Sequence, residues 1–388
     1  MSSSHKNSSH QAHVCLISGQ PIPNLLPLLH ERPGKALFIV TPEMQDQAVR
    51  LEKVVRRYGI TVTVLRIDSA YDYRAIVETC EKLLAEPGKE ELVLNVTGGT
   101  KITALAAFQA FFFSRNSSRI IYCDTEHDRL LHLVPENSES PLAQDLITVN
   151  DYLACYGLPK SNGGNPPAGA EKRRSHISSV ATLLIHNESL LSKLNSALTS
   201  SGPKKQFANI HLNVLGREGE ELAGLLEHCG VAERTQSHNI HIPTEESLFF
   251  CRGGWLEEFV YWSVKNLSVK GLDLAMNVKV QWDGTGRKPT ENEFDVLFTH
   301  RNRLHFISCK ASNPERKTAS GTRATEALNE LDSLADRAGG LFGKTMLVSS
   351  RRLSEFDRSR AEKMKICLVD GPEVLRLPHR LRSWLKLL

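Results

Sequence analysis

The residues best equipped for chemistry lie in the last third of the chain. Glu257 and Glu258 fall in GGWLEEFVYW, a segment with helical apolar spacing. Glu293 and Asp295 open an apolar run in NEFDVLF, and Ser308-Cys309-Lys310 closes the next one in LHFISCK. The two-residue period of a strand puts Glu293 and Asp295 on one face, and Ser308 with Lys310 on one face of the neighbouring strand. Carboxylates from a helix and a strand meeting beside a lysine suit metal-dependent phosphodiester hydrolysis. Their oxygens hold a hard cation such as Mg²⁺ or Mn²⁺, which activates water and offsets developing charge. Lys310 then positions or deprotonates that water, or neutralises phosphate charge. Taken singly, each residue equally fits a solvated helix charge or a strand-end cation; the expectation rests on their convergence.

A second constellation lies in the first third. LVLNVTGGTK at 92–101 reads as a buried strand that passes through Thr97, Gly98, Gly99, Thr100 and Lys101 directly into a helix. Glycines allow close backbone approach, and helix-start N–H groups favour phosphate oxygens. The spacing is neither G-x-x-x-x-G-K-[ST] nor G-x-G-x-x-G, which disfavours nucleoside triphosphate hydrolysis. A plain strand-to-helix turn with glycine at positive φ and threonine as cap accounts for the same residues. After the first strand-like run come Ser18, Gly19, Gln20 and, past two prolines, Asn24. In a doubly wound sheet this turn lies near the 97–101 turn, so together the two loops outline a pocket for a phosphate-rich or nucleotide ligand.

These groups need elements to hold them. Apolar runs at 14–18, 36–40, 61–67, 92–96, 119–123 and 130–134 alternate with helical patterns at 43–58, 73–85 and 100–114. Such alternation implies parallel β-α-β units and a Rossmann-like sheet. The 100–114 segment is apolar nearly all round, so further contacts should bury it. Residues 158–174 (LPKSNGGNPPAGAEKRR) lack an apolar period and read as a linker. Candidate helices at 177–198 and 218–228 with a short alternating stretch at 238–242 form either a winged-helix-like module or, as the preferred reading, a spacer or dimer contact. From 253 onward the order is a helix at 255–267, strands at 272–282, 294–299 and 304–309, a helix at 324–338 stopped by Gly339-Gly340, then a strand at 344–349, a helix at 353–363 and a strand at 366–369: a separate compact α/β domain. The division expected is a frayed tail at 1–13, a first domain at 14–157, a linker at 158–174, a connector at 175–245 and a last domain at 246–388.

Composition bounds the rest. With 388 residues, 40% apolar and 24% charged, the chain suits two or three globular domains. A net charge of +4 permits an anionic partner without requiring one. Eight scattered cysteines form no zinc-spaced cluster. With no apolar run long enough to span a bilayer and no secretory signal pattern at the start, a cytoplasmic protein without membrane association is expected. Arg351, Arg352, Arg358, Arg360, Lys363, Lys365, Arg376, Arg380 and Arg382 could track a phosphate backbone or form a solvated basic face. Trp255, Trp262 and Trp384 could stack bases, though core packing is the better default.

The arrangement of Glu257, Asp295 and S-C-K at 308–310 resembles the PD-(D/E)xK restriction-endonuclease-like fold. GQPIPN after the first strand and NVTGGTK after the fourth resemble the CARF domain, the CRISPR-associated Rossmann-like sensor of cyclic oligoadenylates. In this order they resemble the Card/Can-type nucleases of type III CRISPR systems, with residues 175–245 matched loosely. The resemblance implies a homodimer that binds cyclic tetra-adenylate across its two-fold axis. Ser18, Gly19, Gln20, Asn24 and Thr97 to Lys101 stand at the positions that hold the activator. It further implies an endonuclease, switched on by that ligand, that cuts DNA and/or RNA with little sequence preference using Mn²⁺ or Mg²⁺. Ser308 replaces the usual acid, which leaves the metal to Glu257 and Asp295, helped by Glu293 or Glu258 and by the main-chain carbonyl of Cys309. The alternative is a cyclic-oligonucleotide-sensing, DNA-binding regulator with a degenerate nuclease domain. Degradation of the activator by the sensor is disfavoured, because TGGTK holds no acid/base pair.

Overall fold

The computed structural model describes residues 10–86, 91–114, 118–158, 160–200, 207–235, 238–281, 291–319, 321–334 and 343–387. Most of the expected tail, the end of the 272–282 strand and the 335–340 end of a helix lie outside the described residues.

The first domain runs β1 (Gln11–Leu16), α1 (Ile22–Glu31), β2 (Lys35–Val40), α2 (Gln45–Arg57), β3 (Thr61–Arg66), α3 (Tyr73–Ala85), β4 (Glu91–Asn95), α4 (Lys101–Phe112), β5 (Ser118–Asp124), β6 (Arg129–Val134) and β7 (Ser138–Pro141). Its seven strands lie in the order β3-β2-β1-β4-β5-β6-β7, parallel through β5. β6 and β7 are antiparallel additions, because a tight turn rather than a helix joins β5 to β6. The strand order reverses between β1 and β4, where such a sheet opens a crevice at its carboxyl end. Strand β1 begins at Gln11, so the tail expected to reach 13 is shorter: Ala12 and Val14 are fully buried against the neighbouring strands. The α4 helix buries Thr103, Ala106, Ala107, Ala110 and Phe111. Its other side leaves Leu105 61% and Phe112 52% exposed, so this chain alone does not cover it.

Next, α5 (Val149–Cys155) is capped by Thr148 and Asp151 in a reciprocal box. Its Tyr152 and Leu153 belong to one apolar core that runs from Leu25, Phe38 and Val55 of the first domain to Leu297, Phe306, Leu328 and Leu347 of the last. The expected linker is not a linker. It supplies β8 (Lys160–Asn162), the edge strand of the last domain's sheet, and α6 (Ala170–Arg173). An edge strand contributes mainly backbone hydrogen bonds, so it need carry no apolar period. Gly163 makes this possible: at φ +80, a Cβ there would stand 1.7 Å from the Asn277 carbonyl oxygen.

The middle comprises α7 (Ile177–His186), α8 (Glu188–Ser200), β9 (Ala208–His211), α9 (Leu212–Leu215), α10 (Gly219–His228), β10 (Glu233–Thr235) and β11 (Asn239–Ile242). Its antiparallel sheet is ordered β10-β11-β9. Helix, strand, helix, helix and hairpin follow in the order of a winged-helix module, the less favoured of the two sequence readings. Where such a module would present its recognition helix, α10 exposes Glu220, which is paired with Arg234, and Glu221.

The last domain continues with α11 (Glu245–Phe249), α12 (Trp255–Lys265), β12 (Asp273–Gln281), β13 (Glu291–His300), β14 (Arg303–Lys310), the short pair β15 (Lys317–Thr318) and β16 (Gly321–Thr322), α13 (Arg323–Leu334), β17 (Lys344–Ser349), α14 (Glu355–Lys363), β18 (Cys367–Asp370) and α15 (Leu377–Trp384). Its six-stranded sheet is ordered β18-β17-β14-β13-β12-β8. Side chains such as Val296, Phe298, Ile307 and Cys309 pack with α12 on one face. Phe294, Leu297 and Phe306 pack with α13 on the other.

Candidate functional site

The hairpin of β13 and β14 carries most of the candidate site. The Asp295 carboxylate accepts two hydrogen bonds on Oδ2, from the Cys309 backbone N–H (2.6 Å) and the Ser308 hydroxyl (3.2 Å). The strict two-residue period breaks here. Phe294 and Leu297 share the α13 face, while Val296 shares the opposite face with Phe298. Opposite Asp295 in the β12 pairing, Asn277 stands at φ 52, a left-handed residue that rotates the strand locally. Glu293, Phe294 and Asp295 therefore all line one cavity with Ser308, Lys310 and Glu330. The expectation that Glu293 and Asp295 lie together holds, but by distortion rather than by regular alternation. Glu330, on α13, has no signature in the sequence: it is one of many helix acids until the fold brings α13 over the sheet.

The two adjacent acids of α12 have opposite fates. Glu258, 1% exposed, is held by Arg173 through Nη2 (2.7 Å) and Nε (2.9 Å). Arg173 also reaches Glu246 at 2.9 Å. Glu258 is thus consumed by an ion pair and gives no help to a metal. Glu257 turns toward the hairpin. Burial, then the carboxylates of Asp295 and Glu293, push its acid up to about 9, with partial relief from Lys310. Burial works against the Lys310 ammonium, but Asp295 and then Glu330 outweigh it and hold its pKa above the usual lysine value. Lys310 is accordingly a standing cation and not a poised base. Ser350 N–H fixes the end of β14 by donating to the Lys310 carbonyl (3.0 Å).

Neighbouring carboxylates disfavour one another's charge, which here raises the Glu257 acid. Their oxygens are the donor type that Mg²⁺ or Mn²⁺ takes, so the residues fit such an ion. Among the described residues, no three Asp, Glu, His or Cys side chains stand close enough to hold one by themselves. Glu257 and Asp295 would hold it with main-chain, water or phosphate oxygens completing the shell. The Cys309 thiol is buried on the α12 face, and burial pushes it well above the ordinary range. Only its main chain can contribute.

At the other end of the molecule, the 18–24 and 97–101 loops meet at the β1/β4 switch point, and much of their polarity is spent on each other. Asn95, fully buried and missed in the sequence, donates to the Pro23 carbonyl (2.9 Å) and to Asn24 Oδ1 (3.1 Å). Asn24, also buried, donates to the Leu16 carbonyl (2.9 Å). The Thr97 hydroxyl donates to Asn95 Oδ1 (2.6 Å) and accepts from Cys123 N–H (2.6 Å). A Cβ on Gly98 would stand 2.1 Å from the Leu16 carbonyl oxygen, so glycine is required there. Thr100 caps α4 by accepting from Thr103 N–H. Asn24, Thr97 and Gly98 build the crevice, whereas Gly19 and Lys101 are exposed at it and Ser18 and Gln20 are half-buried. Gln20 Oε1 also accepts from the Tyr156 hydroxyl at 3.0 Å, a residue the sequence gave no reason to include.

The remaining candidates do not gather at the site. Trp255 and Trp262 are buried, and Trp384 packs on Phe298 and His305. Arg358 is paired with Asp370, Arg360 with Asn329 and Arg351 with Ser192, so these cations bind their own chain.

Comparison with known proteins follows the same division. The Card1 CARF domain family matches residues 12–152, and the Card1-like endonuclease domain family matches residues 244–388. Among solved structures, protein VC1899 from Vibrio cholerae is similar with a TM-score of 0.85 and 27% identity over 97% of this chain and 98% of that one. Can2 from Sulfobacillus thermosulfidooxidans, solved in complex with cyclic tetra-adenylate, has a TM-score of 0.76 and 26% identity over 97% and 99%. A type III CRISPR defence DNA nuclease activated by cyclic oligoadenylate shares the fold at 19% identity and a TM-score of 0.56, over 88% of this chain and 46% of that one. Among curated proteins, none matches the chain.

Proposed function

Because the chain joins a Card1-type CARF domain to a Card1-like endonuclease domain, we propose that it is a cyclic tetra-adenylate-activated, metal-dependent endonuclease of type III CRISPR defence. The observation that carries the nuclease reading is that Glu293, Asp295, Ser308 and Lys310 line one cavity, with Glu257 near enough for Asp295 and Glu293 to raise its acid. A bound Mn²⁺ or Mg²⁺ would supply the Lewis acid that activates water. Asp295 is oriented for the ion by the Cys309 N–H and the Ser308 hydroxyl. Lys310 keeps its ammonium at the cavity and neutralises phosphate charge as the phosphodiester bond breaks. The substrate expected is DNA and/or RNA, cut with little sequence preference.

The activator assignment draws on Can2, whose structure holds cyclic tetra-adenylate, and on the two loops at the switch point of this chain. Gly19, Gln20, Ser18 and Lys101 meet the ligand, with the α4 N–H groups facing phosphate, while Asn24, Thr97, Gly98, Gly99 and Thr100 shape the loop. The uncovered apolar side of α4, with Ile102, Leu105 and Phe112, suits a second copy of the chain, so that a symmetric ring sits across a homodimer axis. A cytoplasmic setting agrees with eight unpaired cysteines; among the described residues, no helix is long and apolar enough to cross a membrane.

The regulator reading is favoured by one observation, the neutral Ser308 at the usual acid position. Labelled DNA and RNA incubated with Mn²⁺, with and without cyclic tetra-adenylate, separate the two. The enzyme reading predicts cleavage that requires both, falling at least about 100-fold in Asp295→Asn and about 10²–10³-fold in Lys310→Ala. Ligand binding without cleavage supports the regulator. The ring nucleotide is expected to survive long incubation intact.

A further inference from the structure

The hairpin that carries Asp295 and Lys310 does not end in solvent. Its turn, Arg301-Asn302-Arg303, is seated in the first domain. Arg301 Nε donates to Asp128 Oδ2 (2.7 Å). Arg303 Nη2 donates to the carbonyls of Thr125 (2.8 Å) and Glu126 (2.7 Å) and reaches Asp128 Oδ1 at 3.3 Å. Asn302 accepts from Leu146 N–H (2.9 Å) and donates to the Ala143 carbonyl (2.7 Å). Asp128 is 8% exposed and Asn302 5%, so the bonds these two side chains make are largely shielded from water and orient the hairpin tip, while the Arg303 bond to the Glu126 carbonyl is exposed. The domain contact also includes a shared apolar core, whose packing is non-directional, and the bond from Val149 N–H to Asp273 Oδ2 (2.7 Å).

The receiving turn, 125–128, directly follows β5. Near the end of that strand, Cys123 N–H donates to the Thr97 hydroxyl at the start of the 97–101 loop. A chain of short polar contacts thus runs from the activator loop, through the end of β5 and the 125–128 turn, to the tip of the hairpin. Both arms of that hairpin then lead to the acids and lysine of the nuclease site.

We propose that the buried clamp between Asp128 and Arg301-Asn302-Arg303 is the coupling element through which ligand binding at the 97–101 loop sets the position of Asp295 and Lys310. This rests on the activator reading above and adds its route. A ligand that draws the 97–101 loop inward moves Cys123 through the Thr97 bond. The clamp passes the displacement to two strands paired from His300 and Arg303 as far as Val296 and Ile307, and the bonds from Ser308 and Cys309 to Asp295 carry it across the site. Coupling of this kind requires that the ligand favour one arrangement of the clamp over another.

The test uses full-length protein in three forms: wild type, Asp128→Asn, which keeps shape and removes charge, and Asn302→Gly, which keeps the left-handed backbone at φ 56 and removes both side-chain bonds. Cyclic tetra-adenylate affinity is measured by calorimetry, cleavage with Mn²⁺ is measured with and without saturating ligand, and thermal melting verifies folding. The expected result is near-unchanged ligand affinity with the ratio of activated to basal cleavage reduced about tenfold or more in both variants. Full activation in both folded variants overturns the proposal, as does ligand-independent cleavage at the activated wild-type level. A wild type that binds the ligand without being activated overturns the functional reading itself, a result distinct from failure of the clamp alone.

Discussion

Glu257 and Glu258 are neighbours on one helix, and burial raises both acids, yet the groups they face are opposite in sign. Glu258 faces Arg173, which holds it by several hydrogen bonds in a dry pocket. Glu257 faces Asp295 and Glu293, with Lys310 as partial compensation. A buried charge supplied with its partner is part of the scaffold. One short of compensation marks a place where something else binds. The contrast separates framework from site more sharply than residue type does, since both residues are glutamates.

The strongest way to break the comparison is Arg173→Ala. It leaves the Glu258 carboxylate buried and unpaired, so stability should fall by about 3–5 kcal/mol in urea denaturation. A loss under about 1 kcal/mol would show that this pair is no scaffold element. Glu257→Gln should do the reverse. The Glu257 acid is pushed up to about 9 from an ordinary 4.5, so the folded protein keeps a proton that the unfolded chain has released. Metal-free wild type should therefore lose stability as pH rises from about 4.5 toward 9. Glu257→Gln should flatten that slope, and Mn²⁺ should offset the loss in wild type alone. Melting curves across this range check it; equal slopes in both proteins would contradict it. The smallest effect sharpens the site: Ser308→Asp adds a carboxylate beside Asp295 and should tighten Mn²⁺ binding about tenfold by calorimetry, as added ligand charge does elsewhere.

Much of this was legible in the sequence, for identifiable reasons. Buried parallel strands read as continuous apolar runs, which exposed the first domain and the position of its 97–101 loop. The hairpin was legible from two apolar runs around a polar turn, and with it the placement of Asp295, Ser308 and Lys310. What escaped depends on long-range placement. Residues 160–162 lack an apolar pattern because an edge strand needs mainly its backbone. Glu330 enters the cavity only after α13 crosses the sheet. Arg173, Asn95, Tyr156 and Asp128 have partners tens of residues away or more, and no local period announces such bonds. The rotation of the strand at Asp295 depends on Asn277 across the ladder, outside any reading of one strand alone. Apolar residues all round α4 declare that something covers it, without declaring that the cover belongs to the same chain.

The central claim is that Glu257 and Asp295 share one hard cation beside the Lys310 ammonium. Anomalous diffraction from crystals of the full chain soaked in Mn²⁺ tests this most directly. An anomalous peak is expected between the two carboxylates at oxygen-ligand distance from each, and none in Asp295→Asn crystals. A structure with Mn²⁺ bound elsewhere and no peak between these carboxylates would contradict it.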